Sequence, residues 1–317
     1  MATNNLRIIY NNLVDLSTAT IKASSQQSDA TAPANLKKDA KGSVWRSSPT
    51  TVSGTTVKAY ITVDLGVDSL GINIRKSIQG VVLAFTNLVS PNATIRVMGT
   101  TNYEFYANAQ FDPINNPTAS PANTGTAITA CPWGTLDLPD WGTNPVGANT
   151  YAYGGGTYAR AWLPSVSLPY RYWNIEITDT RPVGIGHYIE VSRIIMGEYW
   201  TPKYNTGYGM TNTIKDLSTH ERTESGDLVS QRGPRYSALT FDLKWLDPSD
   251  RIQLTKIMLG NGLPRPLLVS LFPDNGSTTS QAEMERAHQI YGKMVTLPGI
   301  TYDMLDIYST QFDIEEV

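Results

Sequence analysis

The sequence predicts a mainly β protein, built as a β-sandwich followed by a smaller β-rich domain. Charged residues make up 17% of the chain, below the roughly 25% of an average soluble domain, whereas 25 glycines and 19 prolines supply residues suited to turns. Short segments in which apolar and polar side chains alternate recur along the chain. The hydrophobic fraction of 40% is ample for a core, which excludes wholesale disorder.

Five strand-like segments occur within the first 200 residues. Residues 60–66 and 93–99 alternate large apolar and polar side chains, and residues 78–85 are almost continuously apolar, which predicts a strand buried on both faces. Residues 170–177 and 187–197 complete the set. Because no convincing helix lies between these segments, they favour a β-sandwich.

The segment 100–160 differs from its surroundings in amino-acid composition. Residues 97–159 contain no Lys or Arg, yet they hold nine aromatic residues: Tyr103, Phe105, Tyr106, Phe111, Trp133, Trp141, Tyr151, Tyr153 and Tyr158. A linker would not carry so many aromatic side chains, so we predict a long elaborated loop or a small subdomain inserted in the sandwich.

Four residues of this insertion are the candidate binding residues of the chain: Trp133, Trp141, Tyr151 and Tyr153. Aromatic side chains on a loop serve in protein interfaces, in local packing and in stacking against sugar rings. The sequence leaves these three uses open, with an interface as the preferred interpretation.

A smaller, mixed β-domain is predicted over residues 201–317, after a sandwich over residues 1–200. Its first part, residues 200–234, is rich in turn residues. Strands are then predicted at 236–245, 266–272, 290–295 and 310–314.

One helix is predicted in this second domain. Asp247 is suited to cap it, Pro248 to its first position and Gly260 to its end. Leu254, Ile257 and Met258 supply its apolar stripe.

Several classes of protein are excluded by composition. The net charge is −3 without a basic tail, so nucleic-acid binding through phosphate contacts is not expected. Cys131 is the only cysteine, so no intramolecular disulfide forms and a reducing compartment is expected. The N-terminus lacks a signal-peptide pattern, and the longest apolar runs are too short to span a bilayer, so no membrane insertion is expected.

The sequence offers no catalytic, cofactor or metal residues, and we expect no enzymatic activity. His187, His220 and His288 are isolated, and no Cys or His lies at ligand spacing from another. The acidic pairs Asp137 with Asp140 and Glu283 with Glu285 are more simply interpreted as solvated acids than as glycosidase carboxylates. Residues 283–287 are predicted to form a short exposed helical turn.

Several landmarks resemble the discoidin branch of the galactose-binding-like jelly rolls. They are the stretches 35–39 with 44–47, 61–66, 170–177 and 188–194, which match in order and spacing. The resemblance covers residues 5–200, with 100–160 as an unmatched insertion, and implies a jelly-roll sandwich. The disulfide common in secreted discoidin domains is impossible here, and the ligand-binding loops do not match, so ligand binding does not carry over.

The whole chain also resembles structural proteins of the tailed-phage tail tip. Residues 235–243, the Asp-Pro helix, 266–273 and 291–293 are similar to the ring-forming domain of distal-tail-like proteins. In that family the ring domain makes contacts between subunits, often as a hexamer around the tail tube, while the sandwich points outward.

These resemblances imply a non-enzymatic virion structural protein of a bacteriophage tail tip or baseplate, assembled in the bacterial host cytoplasm. The expected partners are copies of the chain in a ring, such as a hexamer, and other tail proteins, with no nucleic acid and no cofactor. The alternative is a carbohydrate-binding or host-receptor-binding module that recognises a host surface glycan through the aromatic insertion.

Overall fold

The structure is a computed structural model, and it describes residues 5–48, 56–88, 93–100, 128–129, 157–163, 169–180, 188–231, 233–273, 284–285 and 287–317. In these ranges the chain is mainly β, with several antiparallel sheets, as the sequence predicts. None of the helices there is long and apolar enough to cross a lipid bilayer.

The strands and the helix follow one another in this order: β1 (Arg7–Ile9), β2 (Thr20–Ala23), β3 (Trp45–Arg46), β4 (Thr56–Asp64), β5 (Gly80–Thr86), β6 (Thr94–Thr100), β7 (Ile128–Thr129), β8 (Thr157–Trp162), β9 (Tyr172–Thr180), β10 (Glu190–Gly197), β11 (Thr211–Asp216), β12 (Thr219–Arg222), β13 (Leu228–Gln231), β14 (Arg235–Leu246), α1 (Pro248–Asn261), β15 (Leu267–Ser270), β16 (Gln289–Met294), β17 (Ile300–Met304) and β18 (Ile307–Glu316). Three 3-10 turns precede β4: Leu13–Asp15, Asp29–Thr31 and Pro33–Lys37.

Two antiparallel sheets form the jelly-roll sandwich. One has the strand order β2-β4-β9-β6-β7 and the other β3-β10-β5-β8. Consecutive strands from β2 to β6 alternate between the two sheets, so the chain crosses from sheet to sheet as in a jelly roll. Trp45 and Trp173 are fully buried in the core between the sheets.

The four-stranded sheet of the sandwich is covered on both faces. Every residue of β5 and β10 is buried. The inner face contacts the sandwich core. On the outer face, Val82 and Ile195 pack against Ile9, Leu268 and Tyr291, which belong to a separate seven-stranded sheet. This confirms the prediction that residues 78–85 contain a strand buried on both faces, and it explains their lack of alternation.

The seven-stranded sheet outside the sandwich has the order β1-β15-β16-β18-β14-β11, with β17 paired beside β18. We call it the second sheet, to distinguish it from the two sheets of the sandwich. Its core includes Phe241 and Phe312, whose rings stack with centroids 5.2 Å apart, and Leu254 of α1 packs against it. The division at residue 200 stays a prediction; the strand pairing places Arg7–Ile9 with the residues that follow 200.

Helix α1 begins as predicted and ends two residues later. The Asp247 carboxylate accepts a hydrogen bond from the Asp250 backbone N–H at 2.8 Å, and Pro248 occupies the first turn. Gly262, not Gly260, ends the helix, because its φ of +55° lies in a region that favours glycine.

The turn-rich interpretation of residues 200–234 is corrected, since β11, β12 and β13 lie there. The residues of all three strands are exposed, so no buried face imposes an alternating pattern on the sequence. The predicted insertion at 100–160 is also narrower, because β8 begins at Thr157 inside the sandwich and β7 pairs with β6.

Gly292 permits the close approach of β16 and β18. A Cβ at this position would lie 2.2 Å from the backbone oxygen of Glu315. We expect Gly292→Ala to lower the free energy of unfolding by ~1–3 kcal/mol through overpacking, measured by urea denaturation. Gly260→Ala is the control, because no atom lies within 4 Å of its Cβ position and alanine favours the helix. Equal stability of the two variants would contradict the close approach.

Candidate functional site

The four predicted site residues, Trp133, Trp141, Tyr151 and Tyr153, lie outside the described residues, and their role stays a prediction. Of the nine aromatic residues in that segment, the structure describes Tyr158. It lies on β8 with its ring tilted against Phe85, at a centroid distance of 5.4 Å. For this residue, packing is the observed use.

The junction between the sandwich and the second sheet is built around three acidic groups, the first of which is Glu316. The Tyr158 hydroxyl donates to its Oε1 at 3.1 Å, and the Ser237 backbone N–H donates to its Oε2 at 3.0 Å. The Lys41 ammonium lies 2.9 Å from the same Oε2. One carboxylate on β18 thus joins a sandwich loop, a sandwich strand and β14.

Glu285 is the second acidic group. Residues 284, 285 and 287 are helical as predicted, and 284 and 287 are exposed, but the prediction that Glu285 is a solvated acid is wrong. The side chain is buried at 3% exposure, as is its partner Arg160 on β8. Arg160 Nε donates to Glu285 Oε2 at 2.6 Å, Trp162 Nε1 donates to Oε1 at 2.9 Å and the Ser270 hydroxyl donates to Oε1 at 3.1 Å. Glu285 therefore forms a buried ion pair that links β8 of the sandwich to β15 of the second sheet.

A second guanidinium lies beside this pair. The Arg7 guanidinium carbon is 4.9 Å from the centroid of Trp162 and 4.7 Å from that of Tyr199. Burial lowers the pKa of Arg7, partly offset by the charge of Glu285. The short strand β1 is therefore held by aromatic stacking as well as by its pairing with β15.

Asp39 takes part in the third group, around Arg193 on β10. Arg193 Nε donates to the Tyr291 hydroxyl at 3.0 Å, and that hydroxyl donates to Asp39 Oδ1, also at 3.0 Å. The same guanidinium pairs with Asp15 and lies 3.3 Å from Asp39. This network, too, connects the sandwich to β16.

A cavity of about 440 Å³ opens at this junction. It is lined by residues 40–43 of the sandwich, residues 234–236 and residues 315–317. Lys41, Arg235 and Glu315 at its edge each form an ion pair, with Glu316, Asp216 and Lys215 respectively.

Ionisation of the buried tyrosines gives the junction a pH dependence. Burial and the nearby Glu316 carboxylate raise the pKa of Tyr158, and burial raises the pKa of Tyr291. An unfolded tyrosine ionises at pH ~10, so stability is retained below that value and falls as the pH rises above it. We expect the urea midpoint to drop as the pH rises above 10, and Tyr158→Phe to lessen the drop. An equal drop in the variant would contradict this.

No group of three or more metal-binding side chains occurs in the part of the chain that the structure describes. His220 is exposed and its Nδ1 lies 2.7 Å from the Ser230 hydroxyl, while His288 Nδ1 lies 2.9 Å from the Met284 carbonyl oxygen. His187 and Cys131 lie outside the described residues.

The exposed apolar side chains are concentrated on the second sheet and its attachments. Nineteen large apolar side chains are exposed among the described residues, and sixteen of them follow residue 200. Among these sixteen, the most exposed are Tyr208, Leu259, Leu305, Ile214 and Met304. Such side chains mark a contact surface where they lie next to one another, as neighbouring residues 302, 304 and 305 do at the turn between β17 and β18.

A two-stranded ribbon forms part of this surface. Strands β12 and β13 pair only with each other in the described sheets, and all residues from 219 to 231 are exposed. We call these residues the ribbon. The ribbon is the outer end of the hairpin formed by β11 and β14, and the Leu217 N–H donates to the Pro234 carbonyl oxygen at 3.0 Å between the two parts. It therefore extends from the second sheet with its side chains accessible.

Sequence reasoning missed the junction because its partners are far apart in the chain. Arg160 and Glu285 are separated by 125 residues, and each is unremarkable by itself. The available signal was the charge of Arg160 and Arg193 within otherwise apolar strands, since a charge in a buried strand needs a partner.

No protein-family model matches the chain, and a search of curated proteins gives no match. Among solved structures, chitosan-binding module 1 of a chitosanase/glucanase from Paenibacillus sp. IK-5 is 13% identical with a TM-score of 0.33, over 59% of this chain and 98% of that one. CBM32-3 of a family 31 glycoside hydrolase from Clostridium perfringens is 12% identical with a TM-score of 0.31, over 58% and 92%.

A chain of the Streptococcus pneumoniae β-galactosidase is 11% identical with a TM-score of 0.33, over 61% of this chain and 100% of that one. These are distant likenesses. The fold assignment rests on the strand pairing described above.

Proposed function

We propose that the chain is a non-enzymatic structural subunit that assembles with copies of itself through its second sheet, as a component of a bacteriophage tail tip or baseplate. The observation that carries the proposal is the concentration of exposed apolar side chains after residue 200. In this proposal the subunits form a ring, such as a hexamer, that also binds other tail proteins. The protein belongs to the virion tail and is assembled in the host cytoplasm.

The low content of charge supports this proposal. Only 17% of the residues are charged, so a surface that becomes an interface has few ions to strip of water. The ribbon supports it as well, because this outer end of the β11–β14 hairpin is exposed over residues 219–231 and so is accessible to a partner.

The buried junction gives the sandwich a defined role in such an assembly. Glu285, Glu316 and Asp39 each connect the sandwich to the second sheet through hydrogen bonds or ion pairs. Buried networks of this kind oppose hinge motion, so a ring built by the second sheets would present every sandwich in the same orientation.

The test is the oligomeric state of the full chain. We expect light scattering after size-exclusion chromatography to give a single particle whose mass is a multiple of 34.8 kDa, and electron microscopy to show rings. A monomer at every concentration up to the millimolar range would overturn the proposal.

The second candidate function is carbohydrate binding through the aromatic insertion. The observation that favours it is that Trp133 and Trp141 lie in the chain between β7, which ends at Thr129, and β8, which begins at Thr157, and both strands belong to the sandwich. Glycan-array binding by the full chain, lost in Trp133→Ala with Trp141→Ala while the oligomer persists, would establish this function. Loss of the oligomer in the same variant would instead support assembly.

A further inference from the structure

We propose that the ribbon of one copy docks on the exposed face of helix α1 of a neighbouring copy, in a head-to-tail arrangement. The inference rests on the proposed assembly and specifies which two surfaces meet. It is carried by the charge and the apolar pattern of these two surfaces.

The ribbon is acidic and partly apolar. Among residues 219–231, Glu221, Glu224 and Asp227 are acidic and Arg222 is the only Lys or Arg. Leu228 and Val229 on β13 are 57% and 55% exposed. Neighbouring strand residues point to opposite faces, and Val229 pairs with Glu221 while Leu228 pairs with Arg222. The face that carries Val229 and Glu221 is therefore the acidic, partly apolar face of the ribbon.

Helix α1 has exposed apolar side chains on the side that faces solvent. Its buried side carries Leu254 and Ile257, yet Ile252 and Leu259, seven positions apart on the opposite side, are exposed, as is Leu263 just beyond the helix. Positions that differ by seven lie on one face of a helix, so the solvent side carries its own apolar stripe.

Three basic residues border this stripe: Arg251, Lys256 and Arg265, all exposed. We call the stripe and these three residues the helix face. A basic, partly apolar helix face complements an acidic, partly apolar ribbon. Their lengths agree as well, since Ile252 and Leu259 are about 10 Å apart along the helix axis and a four-residue strand spans about 10 Å.

The two surfaces must meet between chains. Both remain exposed, so neither covers the other within one chain. Two different complementary surfaces on one chain produce heterologous contacts, which close into a ring or continue as a filament. A second copy of the chain is therefore the occupant that these surfaces fit.

Charge reversal tests the pairing. We expect the variant Glu221→Lys, Glu224→Lys, Asp227→Lys and the variant Arg251→Glu, Lys256→Glu, Arg265→Glu each to weaken association on the order of 100-fold, measured by light scattering and analytical ultracentrifugation. Mixing the two variants should restore the oligomer, because each interface then joins opposite charges again. The residues are exposed, and thermal unfolding of each variant confirms that it is folded.

The matched control is Lys58→Glu with Arg75→Glu, two exposed residues of the sandwich, which should leave association unchanged. An oligomer that survives both reversals, or two dissociated variants that do not reassemble on mixing, would overturn the ribbon–helix pairing and leave the proposed function standing. A monomeric wild-type chain would overturn both.

Discussion

Glu285→Gln is expected to lower the free energy of unfolding by ~3–5 kcal/mol, the cost of removing one partner from a buried ion pair. Glu285 and Arg160 are both 3% exposed, so the Arg160 guanidinium would remain in a poorly solvated site without its counter-charge. The Arg7 guanidinium would also lose its electrostatic attraction to the Glu285 carboxylate. Urea denaturation followed by tryptophan fluorescence measures the effect.

Two control variants separate charge from packing. Replacing both partners, as in Arg160→Met with Glu285→Leu, removes the buried charges together and should recover most of the lost stability. Glu315→Gln removes the partner of an exposed lysine, Lys215, and should have little effect. Wild-type stability in the Glu285→Gln variant would show that the pair is solvated.

Trp173→Ala should lower the free energy of unfolding by ~3–5 kcal/mol through the cavity it leaves. Trp173 is fully buried in the sandwich core, with its ring edge-on to Tyr170 at a centroid distance of 5.7 Å. Urea denaturation monitored by circular dichroism measures the loss.

The hydrogen bonding of the indole nitrogen distinguishes Trp173 from Trp45. Among the described residues, the buried Nε1 of Trp173 has no hydrogen-bond partner, whereas Nε1 of Trp45 donates to the Ser25 carbonyl oxygen at 3.0 Å. Trp173→Phe should therefore cost less than Trp45→Phe, by the ~1 kcal/mol of one hydrogen bond. The reverse order would contradict the core geometry.

The sandwich strands were predictable because one face of each is buried, or both faces are. Residues 60–66 alternate and lie at the end of β4 and just beyond it, while the continuous apolar run at 78–85 overlaps β5. Helix α1 was predictable from Asp247 and Pro248, whose roles depend only on their immediate neighbours.

Features that depend on distant or solvent contacts could not be predicted in this way. Strands β11 to β13 have no buried face, so hydrophobic periodicity does not mark them. The three residues of β1 are too few for a pattern, and their pairing with β15 joins segments about 260 positions apart. The charged junction escaped for the same reason: the partner of Glu285 is identified only once the chain is folded.

The pairing of β1 with β15 also sets an order of events during synthesis. Residues 7–9 are synthesised about 260 positions before their partner strand, 268–270. All strands of the sandwich are made by residue 197, whereas β15 and β16 follow residue 266. Until β15 and β16 arrive, the outer face of the four-stranded sheet, with Val82 and Ile195, remains uncovered. Late closure of such long-range pairs slows folding and exposes apolar surface, so we expect the nascent chain to be more prone to aggregation before β15 and β16 are made than after.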